Sequence, residues 1–419
     1  MEIMDELYCL SLPLANHPIK NAKDEIKEYY LIVLSFFVKE YAENNTWAKI
    51  ALSEYSKCLF APAYIIETWG YEDIKILIKK RALFAHRYNL ICDILFLTSF
   101  GDASRLSIIS NAVLNIFHQR HKNKIQHFMN LLVSGVSFRS EYKTAKYLTD
   151  CWRMNAEFIN LPEKKIMVTA AMSAGKSTLI NTLMCIDLFE IKNEACTDKI
   201  QFVCNKPFDD GIVFRAGNAA AIYSKPLADS RYRIIDTPGV NSAKYTTHRT
   251  ITQTEIIKGD FEVLLYVFNA TQLGVEDDDA HLRFVVEHLP AQAKILFVLN
   301  KLDEFGKDDS VNESIMLLKE NLTSLGINSP IICPVSMKAG RLAKMVDNGM
   351  NLDKKSRRLY DAFFDELGGF NSSQLDLTSY YTMPAAESAA ESAADKTCFP
   401  PLAKCGIFGF EQTLIRIGV

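Results

Sequence analysis

Ten cysteines are present, yet none forms a CxxC pair or a Cys-x-His cluster. The usual zinc-ligand spacings are therefore missing, and nothing suggests a disulfide framework. Cys58, Cys92, Cys204 and Cys333 sit inside apolar runs, where a thiol behaves as a small hydrophobe. Long apolar runs are also missing: 31–38 and 94–97 fall far short of the ~20 residues that cross a bilayer. The N-terminus carries Glu2, Asp5 and Glu6 and lacks a signal-peptide layout. There is no excess of either charge, with 47 basic against 50 acidic residues and a net charge of −3. That leaves no electrostatic footprint for a nucleic acid, and no specific nucleic-acid partner is expected. The basic runs 118–124 and 354–358 read as solvated faces. His118, His121 and His127 do not share one helix face and have no acidic companions, so they are not read as a metal site. The expectation is a protein of a reducing cytoplasm, with peripheral membrane contact left open.

What is there is globular. Of 419 residues, 48% are apolar and 23% charged, and a chain this long divides into two or more domains. Up to residue 160, apolar residues recur at helical spacing over 24–39, 47–60, 71–83, 88–98, 104–118, 125–133 and 142–158. Pro62, Gly70, Gly101 and Gly135 fall between these stretches. This predicts an all-α helical bundle domain over 1–160. From residue 161 the period changes. Short β-favouring runs at 165–169, 199–204, 211–215, 232–236, 262–269, 294–300 and 330–335 alternate with helical patterns. Continuous apolar runs such as 263–268 suit strands covered on both faces, which predicts an α/β domain with a mainly parallel, doubly wound sheet over 161–339. Residues 340–404 read as an irregular insertion containing the Ala-, Glu- and Ser-rich run 385–395. Residues 405–419 read as a closing helix, through the apolar pattern at 407–417.

The chemistry gathers at the predicted strand ends, where ligands of such sheets bind. The first run leads into Ala170-Ala171-Met172-Ser173-Ala174-Gly175-Lys176-Ser177-Thr178 and then a helical pattern. Strand, small-residue loop, Gly-Lys-Ser and helix form a phosphate-binding loop. Small side chains at Ala174 and Gly175 let backbone N–H groups wrap the phosphates, and the helix dipole points at them. Lys176 reaches the β- and γ-phosphates, Ser177 is a candidate Mg²⁺ ligand, and Thr178 belongs to the same turn. One departure is Ala170, where this loop usually begins with Gly. The run 232–235 delivers Asp236-Thr237-Pro238-Gly239, placing a carboxylate for Mg²⁺ and a backbone N–H at Gly239 for a γ-phosphate. Asn300-Lys301-Leu302-Asp303 follows another apolar run. Asp303 can accept from the N1–H and exocyclic NH₂ of guanine, a donor pair adenine lacks, while Asn300 bonds the base edge and Lys301 packs on the purine. Ser336, Met337 and Lys338 end the next run, within reach of the guanine carbonyl oxygen. Thr197 lies between the phosphate loop and Asp236 and is the candidate switch threonine, with its hydroxyl on the metal.

These motifs, in this order, resemble the guanine nucleotide-binding domain of the Ras-like P-loop GTPases. More narrowly, 172–183, Lys192-Asn193-Glu194-Ala195-Cys196-Thr197 and Asn269-Ala270-Thr271-Gln272-Leu273-Gly274 with the acidic run 276–279 resemble bacterial dynamin-like GTPases. The resemblance covers about 161–337, with the segment near 405–417 as an extension. It implies GTP hydrolysis to GDP and phosphate with Mg²⁺, activated by self-association through the G domain, by a membrane or by a protein partner. Ser173, Lys176 and Thr197 are the catalytic candidates, Ser173 for placing water. The alternative is an interaction protein that reads nucleotide state with little turnover. Two positions depart from the family: Val240 stands where Ras-like enzymes often carry a water-orienting glutamine, and Met172 where dynamins often have Gln. Dynamin-like proteins also carry long helical stalk segments after the G domain, whereas this sequence stops at Val419, so it reads as a short variant, a truncated product or half of a two-component system.

Overall fold

The computed structural model describes residues 13–14, 16–59, 69–99, 103–134, 140–171, 173–186, 199–206, 209, 213–216, 218–224, 230–240, 246–274, 276–306, 308–364, 375–381 and 399–417. Met172, Thr197 and the run 385–395 lie outside the described residues. Contacts divide the chain into two compact units. One comprises Met1–Pro162, Lys206–Ala216 and Ala220–Tyr223; the other comprises Glu163–Asn205, Gly217–Ala219 and Ser224–Val419.

The first unit is built from helices α1 (Asp24–Ala42), α2 (Thr46–Leu59), α3 (Tyr71–Ile78), α4 (Arg81–Ala85), α5 (Arg87–Ser99), α6 (Ala103–Ile116), α7 (Gln119–Ser134) and α8 (Lys146–Ile159). α5 is its axis. Every residue from Tyr88 through Ser99 is buried, as expected of a helix that is apolar nearly all round. It packs against α1, α2, α6 and α8. At its centre the buried Asp93 carboxylate accepts from Tyr30 Oη at 2.5 Å, Tyr55 Oη at 2.8 Å and His17 Nε2 at 2.8 Å. The Ile19 N–H occupies His17 Nδ1, which assigns the ring proton to Nε2. The expected single helix over 71–83 is two, broken at Lys79 and Lys80. Ile74, Leu77 and Ile78 share one buried face, and Leu83 comes five residues after Ile78, off that face. The break allows both to be buried. His121 and His127 lie on α7, His121 with its ring 4.7 Å from that of Phe84.

Most of the sheet lies in the second unit; Phe214–Ala216 and Ala220–Tyr223 are grouped with the first. Strands β1 (Glu163–Ala170), β2 (Gln201–Lys206), β3 (Phe214–Ala216), β4 (Ala219–Tyr223), β5 (Arg231–Asp236), β6 (Val263–Asn269), β7 (Lys294–Asn300) and β8 (Ile332–Pro334) lie in the order β3-β4-β2-β5-β1-β6-β7-β8. β5, β1, β6, β7 and β8 are mutually parallel, and β2 runs antiparallel to β5. All seven residues of β6 are buried, so its continuous apolar run reflects cover on both faces. The helices are α9 (Lys176–Met184), α10 (Thr246–Lys258), α11 (Glu276–His288), α12 (Val311–Ser324), α13 (Met337–Asp347), α14 (Lys354–Phe364), α15 (Pro400–Lys404) and α16 (Ile407–Arg416). The mainly parallel, doubly wound α/β sheet and the helical N-terminal region are as the sequence predicts.

Three details differ from the sequence reading. β4 is Ala219-Ala220-Ala221-Ile222-Tyr223, a composition of low strand preference that becomes a strand through its place in the sheet. The stretch read as irregular after residue 340 contains most of α13 and all of α14. Gly340 looks like a helix breaker, but it is a contact point: a Cβ there would lie 2.1 Å from Ile407 Cγ1 of α16. The same two helices are joined by a buried Lys344–Glu411 ion pair, and Lys344 Nζ also reaches the Leu183 carbonyl of α9 at 3.4 Å. The helix read at 407–417 is α16, with Phe410 and Leu414 buried.

Candidate functional site

Because the five parallel strands share a direction, their carboxyl ends deliver Ala170, Asp236, Asn269, Asn300 and Pro334 to one edge of the sheet. β1 stands in the middle, paired on either side with β5 and β6. The loop after β1 turns through Ser173 at φ 63° and Gly175 at φ 101° before α9 starts at Lys176. Gly175 is required twice over. Its φ is left-handed, and a Cβ would fall 2.3 Å from Asn300 Nδ2. Ser173 is exposed and held in a left-handed conformation, which costs about 1–2 kcal/mol for an L side chain. Strain of that kind persists where the surrounding structure enforces it. Ala174 is buried, and Gly175, Lys176, Ser177 and Thr178 are half-buried at the mouth of the loop.

Asn300 ties three motifs together. Its Nδ2 donates to the Ala174 carbonyl at 2.9 Å, and its Oδ1 accepts from the Met337 N–H at 3.0 Å. Both bonds are buried, so the phosphate loop and the loop after β8 are braced by one side chain. Lys301 follows at φ 70°, which turns the chain so that Asp303 faces Ser336. Ser336 Oγ donates to Asp303 Oδ1 at 2.6 Å while accepting from the Ala339 N–H at 3.2 Å as the N-cap of α13. The Ser336 N–H is taken by the Cys405 carbonyl, so the segment before α16 fixes this corner. Lys338 Nζ lies 3.9 Å from Asp303 Oδ2 with its side chain largely exposed. The structure thus brings Ala174, Gly175, Asn300, Asp303, Ser336, Met337 and Lys338 into one connected group.

Asp236 is wholly buried at the end of β5. The next residue is pinned to β1: Thr237 Oγ1 donates to the Val168 carbonyl at 2.9 Å. Pro238 offers its carbonyl to Thr252 Oγ1 of α10 at 3.0 Å, which leaves Gly239 half-exposed at the edge. Val240 is buried and apolar. Lys176 is held below its ordinary ammonium value by burial, with the Asp236 and Asp278 carboxylates opposing that shift. A buried carboxylate at Asp236 and the Ser177 hydroxyl at a helix N-terminus are hard oxygen donors of the kind Mg²⁺ takes, so the donor chemistry fits that ion. Among the described residues no group of three or more His, Cys, Asp or Glu could hold a metal by itself.

Four polar residues escaped the sequence reading. Tyr266 Oη donates to Asp278 Oδ1 at 2.6 Å, and Thr169 Oγ1 lies 2.9 Å from His281 Nε2. Burial lifts Asp278 to about 6, with Tyr266 and Lys176 pulling the other way and Asp279 adding to the rise. Burial, then the charges of Lys176 and Arg249, push His281 down to about 3. The only sequence trace of this group is one hydroxyl in the middle of the apolar β6 and an acidic run at the start of α11.

The geometry defines a class: the second unit is a G domain with the P-loop GTPase fold. Residues 165–301 match the family model described as 50S ribosome-binding GTPase. Over 186 residues the chain is 26% identical to the probable transmembrane GTPase FZO-like, chloroplastic, of Arabidopsis thaliana. That match covers 43% of this chain, and the chain spans about a fifth of that relative's length. Among solved structures, Era in complex with MgGDPNP and a segment of 16S ribosomal RNA is similar at 18% identity and TM-score 0.31, over 46% of this chain and 59% of that one. A dimerization-deficient Toc33 of Arabidopsis thaliana is similar at 15% identity and TM-score 0.29, over 54% and 81% of the two chains.

Proposed function

We propose that this protein binds GTP with Mg²⁺ and hydrolyses it to GDP and phosphate. The observation that carries the reading is Asn300, whose amide locks the phosphate loop to the corner holding Asp303, Ser336 and Met337. One side chain thereby sets the spacing between a phosphate cradle and a guanine-reading carboxylate. Asp303 accepts from guanine N1–H and NH₂, and Ser336 orients it for that task. The loop N–H groups from Ala174 to Thr178 and the N-terminus of α9 cradle the phosphates. Lys176 neutralises charge developing on the β–γ bridge, and the Gly239 N–H meets the γ-phosphate. Ser177, Thr197 and Asp236 would hold Mg²⁺, which would supply further charge neutralisation there. Ser173, exposed at the loop and pre-set in its turn, orients the attacking water.

We further propose that the enzyme is of the dynamin-like kind, with slow basal turnover raised by self-association, a membrane or a protein partner, and that it works in the cytoplasm or against a membrane face. No helix among the described residues is long and apolar enough to cross a membrane. Val240 favours a second reading. A buried apolar side chain cannot orient water where a glutamine often does, which suits a nucleotide-state switch with little turnover. Single-turnover hydrolysis, measured against protein concentration with and without liposomes, separates the two. Phosphate release that rises with concentration supports the assembly-activated enzyme. Binding of GTP without release under every condition supports the switch. Lys176→Ala should abolish GTP binding or turnover with the far-UV spectrum retained; normal turnover in that variant contradicts both readings.

A further inference from the structure

β8 ends the sheet beside β7, so among the described residues its far side is an edge. The chain leaving it, Pro334 to Met337, is held from two sides. On the inner side the Val335 N–H donates to the Leu299 carbonyl at 2.8 Å, and the Met337 N–H to Asn300 Oδ1 at 3.0 Å. On the edge side the partners come from beyond α14. The Tyr381 hydroxyl donates to the Pro334 carbonyl at 2.9 Å, and the Ser336 N–H donates to the Cys405 carbonyl at 3.0 Å. These two suppliers are tied to each other, because the Leu377 N–H donates to the Lys404 carbonyl at 2.9 Å. Leu375 and Leu377 are buried and anchor the segment 375–381. Two glycines make room for it. A Cβ at Gly409 would lie 2.1 Å from Tyr381 Cγ, so the ring rests directly on the backbone of α16. Gly406 has φ 80°, and a Cβ there would lie 2.3 Å from the Pro334 carbonyl oxygen. Burial lifts the Tyr381 phenol well above its ordinary value, so the hydroxyl stays protonated and donating.

We infer that Tyr381 is a positioning residue that sets base specificity: its hydroxyl fixes the Pro334–Ser336 turn from the edge side, and Ser336 in turn orients Asp303 towards guanine. This rests on the guanine-nucleotide reading of the site and adds to it a residue outside every motif. Tyr381 touches no base. It acts through Ser336 Oγ, which donates to Asp303 Oδ1 at 2.6 Å. Lys338 Nζ stands 3.9 Å from the other carboxylate oxygen with its side chain largely exposed, so Ser336 supplies the hydrogen bond that sets the carboxylate plane. Water could satisfy a carbonyl at a sheet edge; a hydroxyl seated on α16 also fixes where that carbonyl lies. Telling guanine from hypoxanthine requires the carboxylate to accept from N1–H and the exocyclic NH₂ together, and a two-pronged contact is sensitive to tilt. Contact through N1–H alone tolerates tilt better. A loosened turn therefore costs the amino-group contact first, and phosphate binding, which depends on the loop after β1, least.

The test uses the full chain with Mg²⁺ and reads displacement of fluorescent mant-GDP by unlabelled GDP and by IDP, whose hypoxanthine lacks the exocyclic amino group. The wild type should prefer GDP. Tyr381→Phe keeps the ring on Gly409 and removes only the hydroxyl. It should shrink the preference for GDP over IDP about fivefold, the measure of one neutral hydrogen bond, with IDP affinity nearly unchanged. Gly409→Ala pushes the ring away while leaving the hydroxyl in the chain, and should shrink the preference in the same direction. An unchanged preference in Tyr381→Phe overturns the inference. So does equal weakening of GDP and IDP with a lowered thermal midpoint, which is the pattern of a merely structural tyrosine. A wild type that releases mant-GDP to IDP as readily as to GDP, or binds no mant-GDP, overturns the guanine reading itself and this inference with it, which distinguishes the two failures.

Discussion

Each unit buries an aspartate beside a tyrosine, and the two are treated differently. In the helical unit Asp93 is saturated by His17, Tyr30 and Tyr55, all of them buried. Burial, followed by the Asp93 charge, raises both phenols well above their ordinary values, so they stay protonated and donating. In the G domain, among the described residues, Asp278 has one hydroxyl donor, Tyr266, and the Lys176 charge acts on it. The first node is closed and serves as a post that joins the residue-17 segment, α1, α2 and α5. A fully satisfied buried network rigidifies its surroundings, whereas a partly satisfied one carries an electrostatic cost.

The largest effect expected from breaking this comparison is at the closed node. Asp93→Ala leaves three buried donors without their acceptor and should lower unfolding stability by about 3–5 kcal/mol, read by urea denaturation, with mant-GTP affinity retained by the folded fraction. Gly175→Ala comes next. A left-handed φ with a methyl against Asn300 should cost about 1–3 kcal/mol and also abolish tight nucleotide binding, because the Asn300–Ala174 brace must open. Asp278→Asn should move stability the other way. The carboxyl rises from 3.8 to about 6 on folding, so the folded chain holds that proton more tightly than the unfolded one. Its stabilising contribution is complete below pH 4 and is lost as the pH rises through 6. At pH 7.5 the ionised side chain therefore costs up to about 3 kcal/mol, at about 1.4 kcal/mol per unit, and the amide should recover much of it in nucleotide-free denaturation. The smallest effect is a change of pH slope. His281 falls from 6.5 to about 3 on folding, so its contribution is present above pH 6.5 and is lost as the pH drops. Between pH 6 and 4 the two residues oppose each other and the wild-type profile should be shallow. In Asp278→Asn the histidine is unopposed, and stability should fall steadily on acidification from pH 6.5 to 4.

The legible and illegible parts of the site differ in how their residues are brought together. The phosphate loop, Asp236 to Gly239 and Asn300 to Asp303 are contiguous runs at the ends of apolar strands, and short-range chemistry marks each of them. The strand reading was accurate for the same reason: 165–169, 232–236, 262–269 and 294–300 all fall within a residue or two of β1, β5, β6 and β7. The group of Thr169, Tyr266, Asp278 and His281 draws on β1, β6 and α11, and no spacing rule connects those positions. Tyr266 in particular reads as one more β-favouring aromatic inside a buried strand. β4 escaped because alanine carries little strand preference, and α13 was cut short because the apolar spacing turns irregular at Gly340, a position where only glycine leaves room for Ile407. Thr197, the candidate switch threonine, and Met172, which stands where dynamins often have Gln, lie outside the described residues.

The central claim is that the Asn300-braced corner reads guanine above a working phosphate loop. The most direct measurement is phosphate release from Mg²⁺·GTP by wild type and by Lys176→Ala at high protein concentration, with excess ATP as competitor. The account predicts release of GDP and phosphate from the wild type, undiminished by ATP, and none from the variant. Release suppressed by ATP, or equal release from Lys176→Ala, would contradict it.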